Sequence, residues 1–405
     1  MKSKNLKLYI IFIGIIAVYS GCSRKENTID LLPVQTVEKM IESDYTEVKN
    51  GYYNNLIIDD FLVMFPKGKD QIYELMIQPK RLQVTGGALI SLVKEQIGVA
   101  KGYLGDGIRD SDFEIELFEG NESERYQYSE VLSGESENKY LGMVLYDKME
   151  EDEKYMQFNP EYSLVWMSAG GLKERGNSSV SAIMAATQGQ ADYVRVYYRN
   201  SADGSLEDTY NLTDGEYSIR EGISFVEDYM NNKMPYPVDS SAPKRVDRVY
   251  VLSLGNNRFA YYFTLRKSFD GIMFDTWLEG RMYQEGSPES YTVYDSAGVA
   301  VFEKNSVDFF YGYINNQIIQ RTDKAIDKII SLKDAFGLVS DHLEGEGNYI
   351  IKSTEFSYRS KYVNEEEEKE RAYPVWKFEA EKGTNMIKLY VNAVSGAVEC
   401  VTLKE

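Results

Sequence analysis

Strict alternation of apolar and polar side chains is what most limits the folds open to this chain. It is plainest near the carboxyl end, in YPVWKFEAEKGTNMIKLYVNAVSGAVE from Tyr373 to Glu399. A period of two marks strands with one covered face and one open face. Trp376 and Phe378 share one face, as do Ile387, Leu389 and Val391, while Lys377, Glu379, Lys388 and Tyr390 fall on the other. With a Gly-containing loop and Ser395-Gly396 as punctuation, the stretch predicts an antiparallel meander. Its apolar face needs a cover, and its other face is expected to stay wet and open to a partner.

The cover is expected from DKAIDKIISLKDAFGLVSDHLEGEG, where Ile326, Ile329, Ile330, Leu332, Ala335, Phe336 and Val339 suit one side of a helix. The strand NYIIKSTEFSYRSKYV and the charged break NEEEEKER, with Glu365 to Glu368, separate helix from meander. The same order occurs earlier. YSIREGISFVEDYMNNKM is amphipathic, apolar at Ile219, Ile223, Phe225, Val226 and Tyr229, and VDRVYVLSLGNNRFAYYFTLRKSFDG reads as a hairpin turning at Gly255-Asn256-Asn257. The two units are alike in order of elements, not residue by residue. The expected class is α+β, with antiparallel sheets each packed by one or two helices and two successive helix-then-strands units in the C-terminal half.

Upstream, NLIIDDFLVMFPKGKDQIYELMIQ predicts two strands around a Pro-Lys-Gly turn. GALISLVKEQIGVAKGYLG predicts a helix, apolar at Leu89, Leu92, Val93, Ile97 and Ala100. Acidic loops then alternate with short strands such as YSLVWMSA and ADYVRVYYRN, and Asp203-Gly204 is a hairpin signal. The chain thus divides into 1–21 signal peptide, 22–50 polar tether, 51–211 N-terminal α+β domain, 212–310 first unit and 311–405 second unit.

The amino terminus, MKSKNLKLYIIFIGIIAVYSGCSRKEN, has a basic start at Lys2, Lys4 and Lys7 and an apolar run from Leu8 to Val18 too short for a comfortable span. Ser20-Gly21 places two small residues before Cys22. This resembles a bacterial lipoprotein signal, with Tyr19 where the pattern usually has Leu. It implies acylation of Cys22, removal of the preceding residues, and a place on the outer leaflet of the cell membrane. Cys400 is then read as a small apolar strand residue.

Composition narrows the chemistry. A formal charge of −19 makes nucleic acid an improbable partner. With one histidine, His342, and two cysteines, zinc and iron–sulfur centres lack ligands, and no cofactor is expected. Gly171 to Ser178 has phosphate-loop spacing but Asn177 at the Lys position. Ser91 to Lys94 and Ser241 to Lys244 match Ser-x-x-Lys without its companion motifs. Asp110, Asp112 and Glu114 alternate like the start of a calcium loop but lack its Gly and distal Glu. His342 suits a helix C-terminus. No catalytic or metal residue is nominated, and Cys22 is the one assigned site.

Val391-Asn392-Ala393-Val394-Ser395-Gly396, following YPVWKFEA and an amphipathic helix, resembles the last turn of PepSY-type modules, with Asn for Asp and Ser for Thr. The chain as a whole is similar to uncharacterised lipoproteins of Gram-positive anaerobes and, loosely, to the YycH and YycI regulators. The resemblance implies a non-catalytic extracytoplasmic binding or regulatory protein with a protein or cell-wall partner. The alternatives are a glycan- or peptide-binding lipoprotein, suggested by the many tyrosines, and a carboxylate-based glycosidase.

Overall fold

The structure is a computed structural model. It describes residues 29–79 apart from 52 and 54, the strands lying between 113 and 168, and residues 193–199 and 205–233. It further describes 242–279 apart from 276, 291–293, 297–343 apart from 308 and 316, 347–364, and 369–402 apart from 384.

A two-residue strand, β1 (Leu32–Pro33), runs into helix α1 (Val34–Asn50). Val34, Val37 and Val48 of that helix are buried and Ile41 and Tyr45 pack beside them, a stripe at helical spacing. Strands β2 (Leu56–Met64) and β3 (Ile72–Pro79) follow. Next come β4 (Phe113–Glu119), β5 (Glu122–Gln127), β6 (Gly142–Asp147), β7 (Glu153–Asn159) and β8 (Leu164–Ser168). Strand β9 (Tyr193–Tyr198) precedes the small hairpin of β10 (Thr209–Leu212) and β11 (Gly215–Ser218).

Ser218 starts helix α2 (Ile219–Asp228) with a capping box. Its Oγ accepts from the Glu221 amide at 3.2 Å, and the Glu221 carboxylate accepts from the Ser218 amide at 3.0 Å. Strands β12 (Lys244–Gly255) and β13 (Arg258–Phe269) form a hairpin whose turn holds Gly255, Asn256 and Asn257 at positive φ, as the sequence predicts. Short strands β14 (Ile272–Met273), β15 (Trp277–Glu279) and β16 (Tyr291–Val293) lead to β17 (Ala297–Val301), β18 (Phe309–Asn315) and β19 (Gln317–Ile326). After β20 (Lys328–Ile329), Ser331 caps helix α3 (Leu332–His342), its Oγ accepting from the Asp334 amide at 3.1 Å. Strands β21 (Tyr349–Asn364), β22 (Lys369–Lys382), β23 (Asn385–Asn392) and β24 (Val398–Thr402) close the chain.

These elements make a strand-rich α+β fold with two large sheets. The first runs β5-β4-β6-β7-β8-β18-β17-β13-β12-β9. The second is built on the long β21–β22 hairpin. Strands β23 and β24 extend one half of β22, and β3 and β19 extend the other. Pairing is antiparallel apart from β2 and β15, which join β21 in parallel.

Trp376, Phe378, Ile387, Leu389 and Val391 are buried on one face of the second sheet, beneath α3. Phe336 of α3 meets Phe378 edge-on at 4.9 Å, and the Trp376 indole donates to the Ile330 carbonyl at 2.9 Å. Phe65, in the β2–β3 connection, stacks on Trp376 at 5.4 Å. On the first sheet, α2 lies so close to β13 that a Cβ on Gly222 would strike the Phe263 ring. Ile223 and Val226 of α2 are buried there.

Several expectations change. The polar tether expected over 22–50 does not extend that far, because Ile29, Leu31 and Leu32 pack on the core and α1 docks into it through a stripe that its many charges conceal. The helix expected from residue 323 starts at Leu332, and Ile326 and Ile329 are buried as strand residues instead. Strands β2 and β3 do not pair with each other; they flank the β21–β22 hairpin on opposite sides. The sheets also cross the expected boundaries at 211 and 310, since β3 and β22 share one sheet while β8 and β18 share the other. The largest change concerns the meander's second face. Lys377, Lys388 and Tyr390 are buried at 5%, 8% and 2% exposure, because the ends of β12 and β13 and the segment after β14 cover them.

Candidate functional site: an ionic junction beside an exposed sheet edge

Where the first sheet meets the second, four cations and four anions interlock: Arg248, Arg266, Lys377 and Lys388 with Asp247, Asp275, Glu355 and Glu379. The backbone explains how β12 supplies two of them. Its register slips between Val246 and Arg248, and this bulge lets the successive residues Asp247 and Arg248 both reach the junction. The Arg266 guanidinium, from β13, donates to Asp247 at 2.7 Å and to Glu355 of β21 at 2.5 Å. Arg248 donates to both oxygens of Glu379 of β22, at 3.1 and 3.0 Å. Lys377 Nζ sits among three carboxylates, 3.3 Å from Asp275, 3.3 Å from Glu355 and 3.5 Å from Glu379. Lys388 Nζ lies 3.9 Å from Asp275, whose other oxygen accepts from the Tyr390 hydroxyl at 2.7 Å. Arg359 lies over the Tyr390 ring at 3.7 Å and reaches Glu399 at 2.7 Å.

Burial disfavours the ionised form of Asp247, Asp275 and Glu379, yet the adjoining cations outweigh it and hold all three below the ordinary carboxylate range. Lys377 is likewise held protonated by its three carboxylates despite its burial. Lys388 behaves differently. Burial, and then the charge of Lys377, bring its ammonium down to about 8 against the pull of Asp275 and Glu379. General acid–base work needs carboxyl groups whose proton affinities diverge. These three move the same way, as counter-ions to the adjoining cations, and Lys388 is a cation brought down toward neutral pH.

The junction continues to the rim of the first sheet. Arg248 lies over the ring of Tyr198, at 5.3 Å, and Tyr198 belongs to the edge strand β9. Among the described residues that strand pairs with β12 alone and ends its sheet. One flank is clamped. The Tyr197 hydroxyl donates to Asp208 at 2.7 Å and so accepts from the Tyr210 hydroxyl at 2.6 Å, while Arg195 reaches the same carboxylate at 2.8 Å. Beyond the strand, Arg199 grips Glu227 of α2 at 2.5 and 2.8 Å. The start of the strand is open: Tyr193 is 48% and Val194 55% exposed, and the Tyr193 ring meets Tyr250 edge-on at 5.5 Å.

Cys22 lies outside the described residues. So do Ser91 to Lys94, Asp110, Asp112, Gly171 to Ser178, Asp203-Gly204, Ser241, Glu365 to Glu368, the helix expected over 87–105, and the side chain of Glu114. His342 is the last residue of α3, at the helix C-terminus where the sequence reading placed it. Cys400 is a residue of β24 but an exposed one. Among the described residues no cluster of His, Cys, Asp and Glu suits a metal, and no helix is long and apolar enough to cross a membrane. The junction was half visible beforehand, since alternation groups Lys377, Glu379, Lys388 and Tyr390. Its other half had a signal too, in Asp247, Arg248 and Arg266, charged residues within strands rich in apolar and aromatic side chains.

No family model and no curated protein matches the chain. Among solved structures it is similar to an uncharacterized protein from Eubacterium rectale, at 9% identity and a TM-score of 0.46, over 86% of this chain and 92% of that one.

Proposed function

We propose that this is an extracytoplasmic, lipid-anchored binding or regulatory protein that engages a protein partner by strand addition at β9. The observation that carries the reading is the exposed sheet edge at Tyr193 and Val194. Such an edge offers backbone donors and acceptors to an extended segment, and its side chains supply selectivity. The segment from Lys2 to Cys22 supports the anchor, with Cys22 as the acylated residue. Helix α3 on β22 to β24, and the turn from Asn392 to Gly396, support the PepSY-like likeness of the last part of the chain and with it a non-catalytic role.

A photo-crosslinking residue at position 194 tests the edge. An adduct with one partner should form in intact cells, and Tyr193→Lys should abolish it while the fold persists; an unchanged adduct rejects strand addition at this edge. Cys22→Ala should release the protein or leave it unprocessed. The contact of exposed Tyr193 with half-buried Tyr250 supports a second reading, glycan or peptide binding. Titration with soluble cell-wall fragments that shifts the resonances of these two tyrosines would favour it.

A further inference from the structure

At Ile29, seven residues beyond Cys22, the chain already packs against the core. Ile29, Leu31 and Leu32 pack against the core of the second sheet. Leu32 and Pro33 pair with Ile329 and Lys328, and the Val34 amide donates to Asp327 at 3.0 Å. Ile29 is seated on the β23–β24 turn: Gly396 stands there at φ +73°, and a Cβ on it would collide with the Ile29 side chain. Seven residue steps separate Cys22 from Ile29. Fully stretched, they span at most about 25 Å, and a flexible chain of that length averages about 15 Å. A tether reaching residue 50 would have allowed about 100 Å.

We infer that the β23–β24 turn, with the neighbouring Asp30 and Lys328, is held at the outer face of the bilayer, so that lipid headgroups are what this pole of the protein faces. The inference rests on the anchoring reading and adds an orientation to it. Among the described residues at this pole, Asp30 and Lys328 are exposed and of opposite sign, so the two make no basic patch for anionic lipid. The acyl chains supply the attachment, and the short docked segment supplies the orientation.

The test uses the lipidated full chain in vesicles of phosphatidylcholine and phosphatidylglycerol. A nitroxide is placed at Ser395→Cys, with Cys400→Ser to prevent a second label, and the headgroups carry a gadolinium chelate. With the native tether the lipid-borne metal should speed nitroxide relaxation at least about three-fold. Inserting a Gly/Ser segment of about thirty residues between Asn27 and Thr28 should bring the rate back to background. Flotation and intact mass report anchoring separately. If the protein floats and carries the lipid but the two tethers give the same relaxation, the orientation is wrong and the anchor stands. If the mass shows no lipid and the protein does not float, both fall.

Discussion

Lys388 is a cation that the fold tolerates at some expense. Burial and Lys377 bring it to about 8 from an ordinary 10.5, so between those values the native state binds fewer protons than the unfolded chain. Stability contributed through this residue therefore rises with pH across that window and is lowest where Lys388 is charged. Lys388→Met, which keeps the stem and drops the charge, should gain on wild type at pH 7 by about 2–3 kcal/mol and lose that advantage by pH 10.5. Chemical denaturation of both proteins across that range checks it, and a difference independent of pH would show that Lys388 is not the titrating group. The alternation that assigned Lys388 a face was legible; the burial of that face was not. Period two says which side chains point together, and only the approach of another sheet decides whether water lies beyond them.

Helix α3 is held by packing on one side and by Asp44 of α1 on another. Asp44 is 2% exposed, and burial raises its pKa although the backbone amides of Lys333 and Leu332 pull it down. Because the folded state keeps this proton to higher pH than the unfolded one, stability falls as pH rises through the carboxylate range. Asp44→Asn should remove that loss, so its stability relative to wild type should climb from pH 4 to pH 7 in paired urea melts. On the other side of α3, Trp376→Ala should destabilise by about 3–5 kcal/mol as a large-to-small core change that also strands the Ile330 carbonyl. A loss below about 1 kcal/mol would contradict the packing described. At this scale α2 and the closing meander were readable because cap, period and turn residues agree within one short window. Helix α1 was not. Its stripe is Val34, Val37, Ile41, Tyr45 and Val48 among Glu38, Lys39, Glu42 and Glu47, and mean polarity hides a face that narrow.

At the scale of the whole molecule the junction links the two sheets. Arg266→Met leaves Asp247 and Glu355 buried without their shared partner, a change worth about 3–5 kcal/mol. It should also uncouple the sheets. Fluorotryptophan signals from Trp166 on β8 and Trp376 on β22 should report one urea midpoint in wild type and two in the variant. Coincident midpoints in Arg266→Met would mean that other contacts carry the coupling. The strand-rich class was legible from local pattern, whereas the assignment of β2 and β3 to a sheet made by the chain's far end was not, because no local signal spans that distance. That pairing also sets a schedule. A chain made from its amino end presents Leu56 and Leu75 long before Tyr349 and Ala372, their partners across the sheet, exist. About 295 residues separate the members of each pair, and adding them takes roughly 15–60 s at ordinary synthesis rates. For all of that time two apolar strands wait with unsatisfied edges, so whatever escorts this protein during its manufacture should bind most avidly to its first eighty residues.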